Sequence, residues 1–216
     1  MIKDIELKID NHFKHLNDWE HINKWLSKTN AVLFGGAIRS IYFNQIPKDY
    51  DIVISPNTNC SYLELFPHKK NSFGGYKIKI NNIYLDIWDL NITWAFREKY
   101  FKPSFANLLN TTFFNIESIT YNLNNKNICN DGFIKSVKTN TLEINFKHNP
   151  HVELCLLRIM KFNLQGFNIG NSILEYIKEY YNDCKIQKIF EWQEKHYRKI
   201  FFNQEAIKLY FNEIIK

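Results

Sequence analysis

The chain lacks a paired-cysteine motif. Its four cysteines, Cys60, Cys129, Cys155 and Cys184, lie far apart with no C-x-x-C among them. That argues against a zinc site and against a disulfide framework, and makes reduced thiols the default. No apolar run approaches the roughly 20 residues that a membrane helix needs. Met1-Ile2-Lys3-Asp4 opens directly into a charged, amphipathic segment rather than a signal peptide, so a cytoplasmic location away from membranes is expected. There is no internal repeat and no long disordered linker.

What is present fits a folded chain with a core of its own. Its 216 residues are enough for one large or two small domains, and 45% are hydrophobic against 23% charged. Aromatics reach 16%, mostly Phe and Tyr. The net charge of +6 permits a polyanionic partner without showing one.

The most informative stretch is residues 31 to 54, AVLFGGAIRSIYFNQIPKDYDIVI. A short apolar run, Ala31 to Phe34, meets the pair Gly35-Gly36, and an amphipathic turn carrying Arg39 follows. Pro47-Lys48-Asp49-Tyr50-Asp51 then leads into a second apolar run, Ile52 to Ile54. The pattern predicts strand, glycine turn, short helix, strand. Residues i and i+2 of a strand face the same way, so Asp49 and Asp51 converge. Two carboxylates on one exposed face repel each other and invite a hard divalent cation together with substrate phosphates. Glycines before a helix leave room for phosphate oxygens near backbone N–H groups.

Elsewhere the spacing predicts one or two helices over 5–27, with His12, His15 and His21 on solvated faces. Tyr62 to Phe66 reads as a short helix or strand, and Phe73-Gly74-Gly75 as a turn. Tyr76 to Ile80 and Ile83 to Trp88, joined by Asn81-Asn82, form a hairpin signal. Asp86 stands inside that second strand between Leu85 and Ile87, a costly place for a carboxylate unless it faces a metal or a charged partner. Asp89 is a weaker candidate. Residues 92–109 read as helix broken at Pro103, 113–121 as a β-rich run, Ile128-Cys129 as a short strand, 133–137 as a short helix and 142–146 as a strand. Helices follow at 152–164, ending at Gly166, and at 171–182, 185–197 and 203–215. The expected class is α+β, a mixed sheet flanked by helices over residues 1–148 and an all-helical part over 149–216. The last segment is basic and aromatic (Lys185, Lys188, Trp192, Lys195, Arg198, Lys199). It reads either as an RNA-binding surface or as an amphipathic helix pair with a solvated face.

Gly35-Gly36-Ala37-Ile38-Arg39 followed by Pro47-Lys48-Asp49-Tyr50-Asp51-Ile52 resembles the head-domain signature of the tRNA CCA-adding enzymes and bacterial poly(A) polymerases. These belong to the DNA polymerase β-like nucleotidyltransferase superfamily. Phe114 to Asn122 is similar to that family's F-T-I-N-A-L-A-Y-D strand. The turn Asn130-Asp131-Gly132 and the short helix after it match the D-P-F-G-G-L-x-D-L region in spacing. Leu156 to Phe162, with Gly166-Phe167 behind it, resembles L-L-R-A-I-R-F and its trailing G-F. The resemblance covers roughly residues 30 to 168. Two family features are replaced. Thr111, Thr112 and Phe113 stand where an Arg-Arg-Asp triplet is usual. His151, Val152 and Cys155 stand in the base-reading Glu-Asp-x-x-Arg segment, of which a later Arg158 remains.

The resemblance implies a nucleotidyltransferase head followed by a shortened helical neck and body. It implies transfer of a nucleotide from a nucleoside triphosphate to an RNA 3′ hydroxyl, tRNA first among acceptors, with release of pyrophosphate. Asp49, Asp51 and Asp86 would be catalytic and would hold two Mg²⁺ ions, Mn²⁺ being the alternative. Gly35, Gly36, Arg39, Lys48 and Arg158 would bind the nucleotide. The replaced base-reading groups and the short body leave two alternatives: transfer to a protein or small-molecule hydroxyl, and a non-catalytic nucleotide- or RNA-binding protein on the same fold.

Overall fold

The structure is a computed structural model and describes residues 1–16, 19–71, 73–80 and 82–216. The chain forms two compact units. One comprises Met1–Thr112 with Ile116–Ile134, the other Phe113–Asn115 with Lys135–Lys216.

The first unit opens with helices α1 (Ile2–Lys14) and α2 (Trp19–Leu26). Ile5, Ile9 and Phe13 recur at helical spacing on α1 and are all buried. The predicted strand–turn–helix–strand follows as β1 (Ala31–Phe34), α3 (Gly36–Tyr42) and β2 (Tyr50–Ile54). Next come β3 (His68–Lys70), β4 (Tyr76–Ile80), β5 (Ile83–Asp89), α4 (Trp94–Arg97), β6 (Ile119–Asn122) and β7 (Ile128–Asn130). Among the described residues these strands make a seven-stranded sheet in the order β3-β4-β5-β2-β1-β6-β7. Only the β2–β5 pairing within it is parallel.

Alternation along the strands decides which side chains meet the core. On β2, Tyr50, Ile52 and Ile54 are buried on one face, and helices α1 and α3 pack against each other nearby. The Tyr50 hydroxyl lies 2.6 Å from Nε2 of His12 on α1. His12 is therefore engaged rather than solvated, and burial lowers its pKa. Pinning Tyr50 to the α1 side turns its two neighbours, Asp49 and Asp51, to the other side. That second face carries an apolar cluster of Val32, Val53, Leu90, Phe96 and Leu108, with Phe34, Trp88, Phe101 and Phe105 packed on it.

Several expectations are corrected. Residues 92–109 hold only the four-residue α4 and a 3₁₀ turn at Ala106–Thr111. Lys99 at φ 62° ends α4, and Pro103 would break the hydrogen-bond ladder of any helix running through it. The aromatic rings at 101 and 105 are held by packing instead. The 113–121 run becomes a 3₁₀ turn, Asn115–Glu117, before β6. Strand β3 was not anticipated. The hairpin of β4 and β5 is present, while Asn81 of its expected turn lies outside the described residues.

Helix α5 (Phe133–Thr139) begins in the first unit and ends in the second, where β8 (Thr141–Leu142) and α6 (Val152–Leu164) follow. Gly166, at φ 101°, ends the α6 segment. Then come β9 (Asn168–Ile169), α7 (Asn171–Tyr180), α8 (Ile186–Trp192) continued by a π-turn at Gln193–Tyr197, and α9 (Gln204–Ile215). The strand expected over 142–146 shrinks to β8, which pairs in parallel with β9, and an isolated bridge between Phe114 and Ile144. Much of the basic surface is already engaged: Lys185 pairs with Glu153 at 3.3 Å, and Lys195 lies 4.2 Å from the Trp192 ring centre. Among the described residues, no helix is long and apolar enough to cross a membrane.

Candidate active site

Strand register places one residue from each of five adjacent strands in a single row across the second face of the sheet. The row runs Lys69 on β3, Lys77 on β4, Asp86 on β5, Asp51 on β2 and Phe34 on β1. The parallel pairing sets Asp51 directly opposite Asp86. Asp49 stands two residues ahead of Asp51, just before β2 begins. One step further along the same face are Val53 and Trp88, part of the apolar cluster. The acids thus stand at the polar margin of a hydrophobic floor.

That setting shows in their protonation. Burial pushes the Asp51 carboxyl up to about 8, with Asp49, Asp86 and Glu117 adding to the rise and Lys77 opposing it. Asp49 is raised by burial and then by Asp86, against Lys48 and Lys77. Two causes therefore act together, desolvation and like charge, and both disfavour the ionised forms. A cation among these groups would relieve the second cause directly.

The glycine pair divides its roles. Gly35 sits at φ 62°, where a side chain is strained, and its N–H donates to the Ile119 carbonyl at 2.9 Å. Its amide is thereby committed to holding the turn against β6. Gly36 needs no unusual backbone angle, and a Cβ there would meet only Nη2 of Arg39, at 3.8 Å. Neither φ nor packing within the chain demands glycine at 36, which suits close approach of something from outside.

Arg39 folds over this turn and forms an ion pair with Glu117, a buried carboxylate. Glu117 was not singled out from the sequence. Its only signal there was an acidic residue between Ile116 and Ile119, and its partner lies 78 positions away. Lys77 was also missed: its Nζ is 3.1 Å from Oδ2 of Asp86. Lys48 is exposed beside Asp49. Asp89 stands apart from the cluster, accepting from the N–H groups of Asn91 at 2.8 Å and Asn57 at 3.0 Å. Arg158 belongs to the second unit, its guanidinium 4.9 Å from the Phe114 ring centre. A cavity of about 370 Å³ opens at the far ends of β2 and β5, beside Ile54, Trp88 and Asp89, and none of Asp49, Asp51 or Asp86 lines it.

The donor chemistry fits a hard divalent ion: carboxylate oxygens of Asp51 and Asp86 brought opposite each other by strand register, with Asp49 two residues ahead. Among the described residues, no three His, Cys, Asp or Glu side chains form a ready-made metal cage. A Mg²⁺ site does not require such a cage, because Mg²⁺ keeps waters and phosphate oxygens in its shell and takes one or two carboxylates from the protein.

No protein-family model matches the chain, and no curated protein sequence matches it. Solved structures do. A tRNA-processing enzyme in an apo form aligns over 92% of this chain and 57% of its own length, at 16% identity and a TM-score of 0.64. A tRNA nucleotidyltransferase solved with a primer tRNA and an incoming ATP analogue aligns over 87% of this chain and 58% of its own, at 16% identity and a TM-score of 0.63. The Thermotoga maritima CCA-adding enzyme, solved with tRNA, aligns over 99% and 53%, at 16% identity and a TM-score of 0.61. The chain spans a little over half the length of these proteins. The likeness is one of fold: this is an α+β chain with the mixed sheet of a CCA-adding enzyme head.

Proposed function

We propose that the chain is a metal-dependent nucleotidyltransferase that moves a nucleotide from a nucleoside triphosphate to the 3′ hydroxyl of an RNA, with tRNA the leading acceptor. The observation that carries this is the opposition of Asp51 and Asp86 on parallel β2 and β5, with Asp49 two residues ahead. The setting supports it: a glycine turn beside the acids, a net charge of +6, and the fold of proteins solved with tRNA and an ATP analogue. In this reading residues 1–148 act as the head and 149–216 as a helical neck and body, in the cytoplasm.

Asp49 and Asp51 would hold two Mg²⁺ ions, and Asp86 would complete the seat nearer the attacking hydroxyl. When bound, such ions activate the hydroxyl and offset charge on the departing pyrophosphate. Asp86 is proposed to help take the hydroxyl proton as a general base. Gly36 admits the triphosphate close to the backbone. Lys48 contributes an exposed positive charge, and Arg39 one paired with Glu117. Arg158 is proposed as a nucleotide-binding residue.

Incubation with labelled triphosphates and total RNA, and separately with cell protein, tests this. Label is expected in RNA, and Asp49→Ala with Asp51→Ala is expected to lower incorporation by at least about a hundredfold. Label in protein and none in RNA would replace the acceptor; full activity in the double variant would remove the metal assignment.

A further inference from the structure

We infer that Lys77 is a built-in counter-cation that holds the metal seat closed to free ions and yields to an ion arriving on a polyphosphate. The inference rests on the metal reading of Asp49, Asp51 and Asp86 and adds a residue which that reading did not contain. Lys77 is the direct cross-strand partner of Asp86, and their charged groups lie 3.1 Å apart. Its ammonium also opposes the pKa rise at both Asp49 and Asp51, so its field reaches all three acids. Without a metal it is the cation paired with Asp86 and the one opposing the rise at Asp51, while at Asp49 it acts beside Lys48.

Its freedom to leave is equally visible. The Lys77 side chain is 53% exposed, against 21% for Asp86. A four-carbon stem on an exposed strand face swings at little cost, and a lysine is a point charge without the locking fork of arginine. A bare divalent ion entering beside Asp86 must displace this ammonium or share the carboxylate with it, and either weakens binding. An ion carried by a triphosphate brings negative oxygens with it. The released ammonium then has a new partner, and binding of ion and nucleotide becomes coupled.

The row itself supplies the control. Lys69 is the next residue outward, cross-strand from Lys77. It contributes to the general positive field of the β3–β4 edge without a direct contact to Asp86 in the strand pairing.

The test uses the full chain and thermal shift titrations. Mn²⁺ alone is titrated into native protein, Lys77→Gln, Lys69→Gln and Asp51→Asn. Then Mg²⁺ with a non-hydrolysable ATP analogue is titrated into the same set. Lys77→Gln is expected to bind Mn²⁺ alone at least threefold more tightly than native, and Lys69→Gln to change it by less than twofold. Lys77→Gln is expected to bind the Mg²⁺–analogue pair at least threefold more weakly. Equal Mn²⁺ midpoints for native and Lys77→Gln, with Asp51→Asn abolishing the shift, would overturn the role of Lys77 and leave the metal site standing. No Mn²⁺ shift in any of these proteins would overturn both. An equal effect from Lys69→Gln would reduce the competition to a general surface field and overturn it also. Tighter Mn²⁺ with unchanged analogue binding would overturn the hand-over to phosphate.

Discussion

The two flanks of the acidic cluster carry one ion pair each, and the pairs are built in opposite ways. On the glycine-turn flank, Arg39 meets Glu117 with side chains 22% and 11% exposed. On the β4 flank, Lys77 meets Asp86 at 53% and 21%. The first joins α3 to the segment leading into β6 and is mostly shielded from water. Breaking such a pair strands a charge where water solvates it poorly. The second sits at a wet edge, where an ion pair adds little to stability and exchanges easily. One flank is a fastener and the other a replaceable counter-charge, although both place a cation beside an acid within one small site.

Substitutions sharpen that contrast. Arg39→Ala should have the largest effect on stability. It removes the ion-pair partner of Glu117, a carboxylate close enough to Asp51 to raise its pKa. A loss of about 3 kcal/mol is expected, seen as a melting temperature lower by about 6–12 °C. A melt within a degree of native would mean that this flank is not a fastener.

Asp51→Asn should move stability the other way. Folding raises the Asp51 pKa from 3.8 to about 8. Its protonated form is thus the one the fold prefers. The stabilisation is complete below about pH 4 and is lost as pH rises through about 8. Metal-free native protein should melt progressively lower between pH 5 and pH 8, and Asp51→Asn should flatten that slope. At pH 7.5 the variant should melt higher by on the order of 5 °C. Added Mg²⁺ should recover part of the difference in the native protein only. A native melt that rises over the same range would contradict the desolvated-acid description.

Lys77→Gln should matter least to the fold. A change below about 1 kcal/mol is expected in metal-free protein, measurable by denaturant midpoint. A loss as large as that of Arg39→Ala would erase the distinction between the flanks.

The parts of the site visible in the sequence are those built from local pattern. An apolar run ending in glycines, then Asp-x-Asp before another apolar run, specifies β1, α3 and β2 over some two dozen residues. Asp86 was visible because a carboxylate between Leu85 and Ile87 breaks the apolar pattern of a strand. What local pattern does not carry is register between strands. Lys77 enters the site only once β4 is aligned on β5, and Glu117 only once β6 closes on β1. The helix expected over 92–109 failed for a related reason. Its apolar spacing was real, but Phe96, Phe101, Phe105 and Leu108 serve the cluster on the sheet rather than one helix face. Lys99 in a left-handed turn lets the chain bend to deliver them.

The β1–β6 pairing also sets an order of events. Val32 pairs with Asn122, so β1 gains its second neighbour only after the intervening chain has been made. A ribosome synthesising this protein releases Asp49, Asp51 and Asp86 well before Glu117. Until then Ala31 to Phe34 presents an apolar strand edge without its cap, the kind of edge that recruits other chains. Contacts so distant in sequence also form slowly. The nascent chain is therefore most exposed to misassembly in the interval between its acids and their fastening, and a stall in that interval would leave a sticky half-sheet rather than a partly built site.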